Sequence, residues 1–305
     1  MRIGSGQLIL RLCLFALCLT CAATTAHAEP NLRLLSKLNW AEDAAWFGGF
    51  SGAEVSEDGQ MITLISDRGT LVTAQVARTP DGAIDRFSLQ SHHILWNGTD
   101  TPGDHDAEGL ARTGDGTFYL SAEHDHHVAH LDVNTGQIAT LPRAKDFAAF
   151  QPNSGIEALA AGPDGALYAI PERSGKVDRP FPVFRFKDGV WSITHHIPRH
   201  GPFLPVGADI GPDGLFYLLE RAATPLGFRS RIRRFDLSKT PLRPKTLLST
   251  GPARFDNLEA ISVWRDPAGA IRLLLVSDDN FLSIQHTQII EYALTEQLAG
   301  PPTTP

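Results

Sequence analysis

One unit of sequence recurs five times along the chain, and this repetition limits what the chain can fold into. The clearest pair is DAEGLARTGDGTFYLSAE at 106–123 and GIEALAAGPDGALYAIPE at 155–172. Alignment of the five units gives one reference position in each: Ser51, Glu108, Glu157, Val206 and Glu259. The steps between these residues are 57, 49, 49 and 53 residues. A period near fifty with strand-like content is typical of propeller blades rather than of a helical solenoid.

Each unit predicts four β-strands. A short apolar run leads into Gly-Asp-Gly or Pro-Asp-Gly, a turn signal because glycine tolerates positive φ. An aromatic run such as 118–120 follows, and two further apolar runs complete the unit. No long stretch of 3.6-residue periodicity occurs after residue 28. The sequence therefore predicts an all-β chain, a β-propeller of four-stranded blades of about 50 residues.

The number of blades depends on two irregular regions. The interval between Ser51 and Glu108 is long enough to hold a degenerate set of strands, so five or six blades remain open. The apolar run 32–38 has no unit of its own, and the last unit, ending at 288–294, lacks one strand. We expect the N-terminal strand to complete the last blade and close the ring, which removes exposed edges.

The first 28 residues predict a cleaved signal peptide. Arg2 and Arg11 precede a short apolar run, and Ala26-His27-Ala28 gives the small-x-small pattern of a cleavage site. The run is too short for a spanning helix, although an uncleaved anchor is the alternative. We therefore expect a secreted protein, periplasmic if bacterial, with the propeller over 29–298 and an unstructured tail at 299–305.

Removal of this segment changes the composition that bears on function. All three cysteines lie within residues 1–28, so the mature chain has no disulfide and no thiolate site. The formal net charge moves from −7 to −9, because two arginines and no acid are lost. Such a charge argues against a nucleic-acid or anionic-membrane surface. We expect a monomer with no nucleic-acid partner and no membrane span.

Paired acids carry the functional argument. Glu108 lies seven residues before the turn residue Asp115, and Glu123 lies eight residues after it. An antiparallel hairpin brings both carboxylates to the same end, and the third unit repeats the pattern with Glu157 and Glu172. In a propeller that end is the mouth of the central channel. Carboxylates facing each other repel, so the ring needs a counter-charge.

The sequence offers two sources of counter-charge. Carboxylate clusters suit a hard cation such as Ca²⁺, which takes oxygen ligands. Arginines directly after the acids, in Asp67-Arg68, Glu172-Arg173 and Glu220-Arg221, suit phosphate or carboxylate. The alternative is structural: acids that cap loops and arginines in simple ion pairs. Val206 breaks the acidic series, with Asp209 nearby as a substitute or a turn cap.

These considerations assign a role to each candidate. The catalytic candidates are Glu108, Glu157 and Glu259. The substrate-binding candidates are Ser51, Arg68, Arg173 and Arg221. The metal-binding candidates are Asp67, Glu123, Glu172, Asp278 and Asp279.

Histidines form a second constellation. The segments 124–127 (His-Asp-His-His) and 104–106 (Asp-His-Asp) flank the acids of the second unit. His-x-His on a strand directs both imidazoles to one face, a geometry compatible with a transition metal. Solvated histidines in a polar loop are the alternative.

The repeated motifs resemble the phytase-like domain family, described by esterase-like activity of phytase. The resemblance rests on Phe50-Ser51-Gly52, Ile65-Ser66-Asp67-Arg68-Gly69, Asp106-Ala107-Glu108-Gly109-Leu110, Gly155-Ile156-Glu157-Ala158-Leu159, Asn257-Leu258-Glu259-Ala260-Ile261 and Val276-Ser277-Asp278-Asp279-Asn280. It spans nearly the whole mature chain. The resemblance implies a propeller that hydrolyses phosphoesters with calcium.

The leading hypothesis is therefore a Ca²⁺-dependent phosphoesterase that acts on a small molecule at the channel mouth. A lactonase or carboxylesterase is a second hypothesis, because gluconolactonase-type propellers also set one metal among carboxylates and amides. A third is a non-catalytic propeller whose acidic mouth holds a metal, sugar or protein ligand.

Overall fold

The computed structural model describes residues 31–96, 106–123, 125–151 and 154–295. The predicted signal peptide and C-terminal tail lie outside the described residues. Within the described ranges the one helix is a 3-10 turn at Lys145–Ala149, and no helix there has the length and apolar character needed to cross a membrane. The all-β prediction is confirmed.

Twenty strands of the described chain form five four-stranded antiparallel sheets. Blade 1 contains β2 (Phe50–Val55), β3 (Met61–Ser66), β4 (Thr70–Arg78) and β5 (Ile84–Ile94). Blade 2 contains β6 (Ala107–Arg112), β7 (Phe118–Ala122), β8 (His127–Leu131) and β9 (Ile138–Thr140). Blade 3 contains β10 (Ile156–Ala161), β11 (Leu167–Pro171), β12 (Phe181–Lys187) and β13 (Val190–Ile197). Blade 4 contains β14 (Leu204–Ile210), β15 (Phe216–Thr224), β16 (Gly227–Phe235) and β17 (Lys245–Ser249). Blade 5 contains β18 (Asn257–Arg265), β19 (Ile271–Asp278), β20 (Thr287–Thr295) and β1 (Asn31–Trp40).

The last blade is closed by the first strand of the chain. Strand β1 pairs antiparallel with β20, from Asn31 opposite Thr295 to Trp40 opposite Thr287. This confirms the predicted closure. The long interval between the first two units is taken up largely by β4 and β5, of nine and eleven residues, so the described chain forms five blades.

The apolar core lies between the blades. The innermost strands β2, β6, β10, β14 and β18 contact one another in a ring. Five buried clusters fill the five junctions between neighbouring blades; one of them packs Ile65 of blade 1 against Leu110 of blade 2. Because apolar area is buried between blades, the central channel is left to polar side chains.

A β-bulge interrupts each innermost strand at the reference position of the repeat. The register shifts fall at Ser51, at 108–109, at Glu157, at Val206 and at Glu259. A bulge re-aims the side chain of the extra residue. The next residue is Gly or Ala in every blade. In blade 4 it is Gly207, where a Cβ would collide with the backbone oxygen of Glu259.

Candidate functional site

The channel mouth is built from two positions of each blade. The first is the reference position at the bulge. The second lies opposite the residue two places before the reference position, at or directly after the end of the second strand in four blades and within β15 in blade 4. Glu123 N–H donates to Asp106 O at 2.9 Å, and Glu172 N–H donates to Gly155 O at 3.0 Å. The hairpin prediction for these two blades is therefore confirmed. The second positions are Asp67, Glu123, Glu172, Arg221 and Asp278.

Blade 4 departs from the expectation that Glu220 is its mouth acid. Arg221, not Glu220, lies opposite Leu204 at the second position. Glu220 is fully buried, and its oxygens accept hydrogen bonds from Arg231 Nε at 2.7 Å and Arg233 Nη2 at 2.6 Å. Neighbouring residues of a strand face opposite ways, so Glu220 stabilises the blade interior and Arg221 reaches the mouth.

Three carboxylates of blade 2 converge at the mouth. Asp106, Glu108 and Glu123 each offer an oxygen within 4.8 Å of the others, and the described residues contain no other such group of three. Glu108 and Glu123 are buried. Asp106 has φ of +43°, a left-handed conformation uncommon outside glycine. An all-carboxylate set of this kind suits a hard divalent cation.

The surroundings of Glu108 and Glu157 disfavour their charged forms. Burial raises the pKa of Glu108 well above its usual range, and the next causes are all charges of other mouth carboxylates, namely Glu157, Glu259, Asp106 and Glu123. Burial likewise raises the pKa of Glu157, followed by the charges of Glu123, Glu172 and Glu259. The acids of three blades therefore meet closely enough to repel one another.

The mouth acids of blades 1 and 5 behave in the same way. Burial raises the pKa of Asp67 to about 7, with the charge of Asp278 as the second cause. Burial also raises the pKa of Asp278 to about 7, with the charge of Glu259 second. Oδ1 of Asp67 is buried and has no hydrogen-bond partner in the part of the chain that the structure describes. Burial and neighbouring carboxylates thus disfavour the ionised forms of Asp67 and Asp278.

Arg221 supplies the internal counter-charge. Its guanidinium contacts Glu259 and lies 3.6 Å from Glu172, and Nη1 donates to Asn257 Oδ1 at 2.7 Å. Asn257 Nδ2 in turn donates to Glu259 at 3.0 Å and to Asp278 at 3.3 Å. Burial raises the pKa of Glu259 even though the Arg221 charge opposes this. Arg221 is therefore committed to carboxylates of the protein itself.

The other two candidate arginines lie at the rim. Arg173 Nε donates to Ser154 Oγ at 2.9 Å and to Glu172 Oε2 at 3.0 Å, with its side chain 51% exposed. Arg68 stacks on the ring of Phe281. Both leave part of the guanidinium group available to an anion, because each has five N–H donors.

Asp279 and Ser51 bind neighbouring segments of the protein. Asp279 Oδ1 accepts hydrogen bonds from Gly49 N–H at 3.1 Å and Phe281 N–H at 3.0 Å. Ser51 Oγ donates to Ala107 O at 2.5 Å, which joins blades 1 and 2. These contacts give both residues a structural role beside the roles predicted for them.

The histidine segment does not form the predicted strand. His124 and 104–105 lie outside the described residues. Asp125 and His126 lie in a turn, and β8 begins at His127. His127 is buried and its Nδ1 pairs with Asp125. Among the described residues no histidine belongs to a group of three metal-ligating side chains.

The candidate roles left out two polar residues of the mouth, and the sequence placed Glu220, instead of Arg221, at the second position of blade 4. Asp106 and Asn257 both lie two residues before a reference glutamate, where they face the end of the second strand. Arg221 lies fifteen residues after Val206, the same spacing that separates the two acids of blade 2 and of blade 3. That spacing was the available signal.

Comparisons with known proteins bear on the family. The phytase-like family model, described as esterase-like activity of phytase, matches residues 45–281. No curated protein sequence matches. One similar structure is a streptogramin B lyase, with 14% sequence identity, a TM-score of 0.42, and 87% of this chain and 98% of that chain covered. Another is a PQQ-bound aldose sugar dehydrogenase from Streptomyces coelicolor, with 13% sequence identity, a TM-score of 0.46, and 87% of this chain and 100% of that chain covered. Similarity at this level carries no argument about activity. The family model covers most of the chain, and the chain belongs to the phytase-like family.

Proposed function

We propose that this protein is a divalent-cation-dependent ester hydrolase, with phosphoesters as the first substrate class and Ca²⁺ as the cation. The observation that carries the proposal is the convergence of Asp106, Glu108 and Glu123, whose oxygens lie within 4.8 Å of one another. The family description, esterase-like activity of phytase, supports the reaction type.

The donor set fits such an ion. Burial and mutual repulsion raise the pKa of Glu108, and a divalent cation removes that repulsion. Carboxylates are the ligands that Ca²⁺ prefers. When bound, the cation would polarise the phosphoryl or carbonyl oxygen of the ester and promote ionisation of water.

The remaining mouth residues position this set. The backbone N–H of Gly155 donates to Glu123 Oε1 at 3.0 Å and fixes the orientation of the Glu123 carboxylate. Arg221 and Asn257 both contact Glu259 and hold it beside the three convergent carboxylates. Arg173, with half of its side chain exposed at the rim, is placed to bind an anionic substrate as it approaches the mouth.

One observation favours a second substrate class. Because Arg221 is paired with Glu259 and Asn257, the deepest arginine of the mouth has fewer donors left for a phosphate. A neutral carboxylic ester or lactone needs no such cation. Lactones and carboxylic esters therefore belong in the same assay as phosphoesters.

A substrate panel tests the proposal. The purified chain is assayed with para-nitrophenyl phosphate, bis-para-nitrophenyl phosphate, para-nitrophenyl acetate and δ-valerolactone, with Ca²⁺ and with EDTA. We expect hydrolysis of at least one ester, loss of that activity with EDTA and in Glu108→Gln, and its retention in Glu57→Gln, which alters an exposed glutamate. Ca²⁺ binding without turnover of any ester would identify a binding propeller and overturn the enzyme proposal.

Export belongs to the same proposal. The pattern of residues 1–28 supports cleavage after Ala28. Expression in a secreting bacterium followed by N-terminal sequencing is expected to give Glu29 as the first residue. Recovery of the intact N-terminus in the cytoplasm would contradict export.

A further inference from the structure

A cleft of about 330 Å³ opens on blade 3, beyond Arg173 from the channel. Its walls come from the segment after β11, from β12 and β13, and from the 3-10 turn with the residues after it. A second cavity of about 140 Å³ shares Gln151, Arg173 and Gly175 with it. The two cavities therefore adjoin, and together they make up the cleft. Apart from Arg173, no residue assigned to the mouth lines it.

The floor of the cleft is apolar. Phe150, Phe184, Pro171, Pro182 and Ile193 line it. The rings of Phe150 and Phe184 lie 5.7 Å apart edge to face. Packed aromatic rings hold their position before a ligand arrives, so the floor is ready to accept a flat or branched apolar group.

The rim of the cleft is positively charged. Arg173, Lys176, Arg179 and Arg199 line it, against one lining carboxylate, Asp146. This contrasts with the formal net charge of −7 of the whole chain. Nε of Arg199 is buried without a hydrogen-bond partner among the described residues. Guanidinium groups with free donors bind carboxylate, sulfonate or phosphate oxygens.

The cleft adjoins the mouth through one side chain. Arg173 lines both cavities, and its Nε donates to the mouth residue Glu172 at 3.0 Å. A ligand in the cleft therefore lies next to whatever occupies the mouth.

We propose that this cleft binds an organic anion with an aromatic or branched apolar body, which is the non-reacting part of the ester hydrolysed at the mouth. The second half of this statement rests on the proposed function. The apolar body lies on Phe150 and Phe184, and the anionic group faces Arg179 and Arg199. An inorganic anion lacks the apolar contact, and a neutral aromatic compound lacks the ionic one.

Calorimetric titration of the full chain with naphthoate, acetate and naphthol tests the binding. Naphthoate is expected to bind at least about tenfold more tightly than either of the others. Arg179→Gln is expected to weaken naphthoate about tenfold, and Asp146→Asn to tighten it two- to threefold, because it removes a repelling charge. Both side chains are exposed, so the variants are expected to fold. Arg86→Gln, on the outer strand of blade 1, is the matched control and leaves the affinity unchanged.

Equal affinity for naphthoate and acetate, or naphthoate binding that neither Arg179→Gln nor Asp146→Asn changes, would overturn the cleft assignment. Naphthoate is also expected to inhibit competitively whichever ester is hydrolysed. Hydrolysis that saturating naphthoate leaves unchanged would overturn its link to the substrate. Arg179-dependent naphthoate binding without turnover of any ester supports the cleft while the proposed function fails, so the two failures are distinguishable.

Discussion

The two ends of the central channel both hold buried carboxylates, and their partners differ. The lower end is the end opposite the mouth. There, Glu54 accepts hydrogen bonds from Arg112 N–H at 3.0 Å and from Ser262 Oγ at 3.3 Å. Asp209 accepts one from Val263 N–H at 2.6 Å. Each bond crosses from one blade to a neighbour. At this end the acids tie the ring of innermost strands together.

At the mouth, the charged groups with the largest effect on Glu108 are four other carboxylates. Burial raises the pKa of Asp209 at the lower end and of Asp67 at the mouth to about the same value, about 7. Burial and a raised pKa therefore do not by themselves mark a functional site. What distinguishes the mouth is that three of its carboxylates lie within 4.8 Å of one another, whereas Glu54 and Asp209 each accept a hydrogen bond from the backbone of a neighbouring blade.

The innermost strand of each blade carries an acid either at the mouth or at the lower end. Blades 1 and 4, which have Ser51 and Val206 at the mouth, carry Glu54 and Asp209 three residues later. The three blades with a mouth glutamate have small residues there, namely Ala111, Ala160 and Ser262. Asp209, considered a substitute for an acid at the position of Val206, thus belongs to the other end. No blade places an acid at both levels of its innermost strand.

The largest expected effect comes from removing a charge at the mouth. Glu108→Gln takes one carboxylate from the convergent set, and we expect Ca²⁺-dependent ester hydrolysis to fall by at least about 100-fold. Steady-state kinetics at saturating Ca²⁺ measures this. Without Ca²⁺ the variant is expected to be at least as stable as the original chain, because repulsion is relieved. Unchanged turnover in Glu108→Gln would show that hydrolysis does not depend on the mouth carboxylates, and would leave no functional difference between the two ends.

Loss of the internal counter-charge is the next largest effect. Arg221→Leu leaves Glu259 and Glu172 without their cation, and we expect the unfolding free energy to fall by about 2–3 kcal/mol. Urea unfolding in EDTA measures the change, and Arg221→Lys is expected to restore part of it. Addition of Ca²⁺ should reduce the deficit. A deficit below about 0.5 kcal/mol would mean that the mouth acids are not mutually repelling.

The lower pair predicts a pH dependence of stability. Burial and then the charge of Asp209 raise the pKa of Glu54, so the folded protein holds the proton more tightly than the unfolded chain. Its stabilising contribution is present at low pH and is lost as pH rises from about 4, the unfolded carboxyl pKa, through the raised folded pKa values. Glu54→Gln removes this titration, and the loss of unfolding free energy between pH 4 and 8 is expected to shrink by about 1–2 kcal/mol.

Urea unfolding of Glu54→Gln and the original chain across that pH range, in EDTA, measures this difference. Ca²⁺ affinity at neutral pH should be the same in both proteins. Parallel pH profiles would show that Glu54 is ionised without cost in the folded state.

The smallest effect concerns one hydroxyl at the lower end. Ser262 Oγ accepts from Val55 N–H at 3.0 Å and donates to Glu54. Ser262→Ala leaves the Val55 N–H unsatisfied, and we expect a loss of about 1 kcal/mol in unfolding free energy. Ester hydrolysis at saturating Ca²⁺ should stay within about twofold of the original. A kinetic defect larger than the stability defect would argue that the lower end takes part in function.

The propeller and part of its mouth followed from local patterns. The repeat period predicted the blades, and the symmetric spacing of Glu108 and Glu123 about their turn predicted that both reach one end. These features depend on pairing within a hairpin, which a single sequence reveals. The incomplete last unit likewise predicted that β1 closes the ring.

The remaining features depend on geometry that leaves little trace in the sequence. A bulge adds one unpaired residue without a required residue type, so the shift that aims Glu157 into the channel was not foreseen. The left-handed backbone conformation of Asp106 likewise could not be predicted from the sequence. Glu220 resembled a mouth acid because an arginine follows it, whereas its partners Arg231 and Arg233 lie on the next strand.

Calorimetric titration of Ca²⁺ into the original chain, Glu108→Gln and Glu54→Gln tests the central claim most directly. The claim is that the mouth carboxylates, and not the lower pair, hold a hard divalent cation. We expect one Ca²⁺ site per chain, abolished in Glu108→Gln and unchanged in Glu54→Gln. Absence of binding to the original chain, or binding that Glu108→Gln leaves intact, would contradict it.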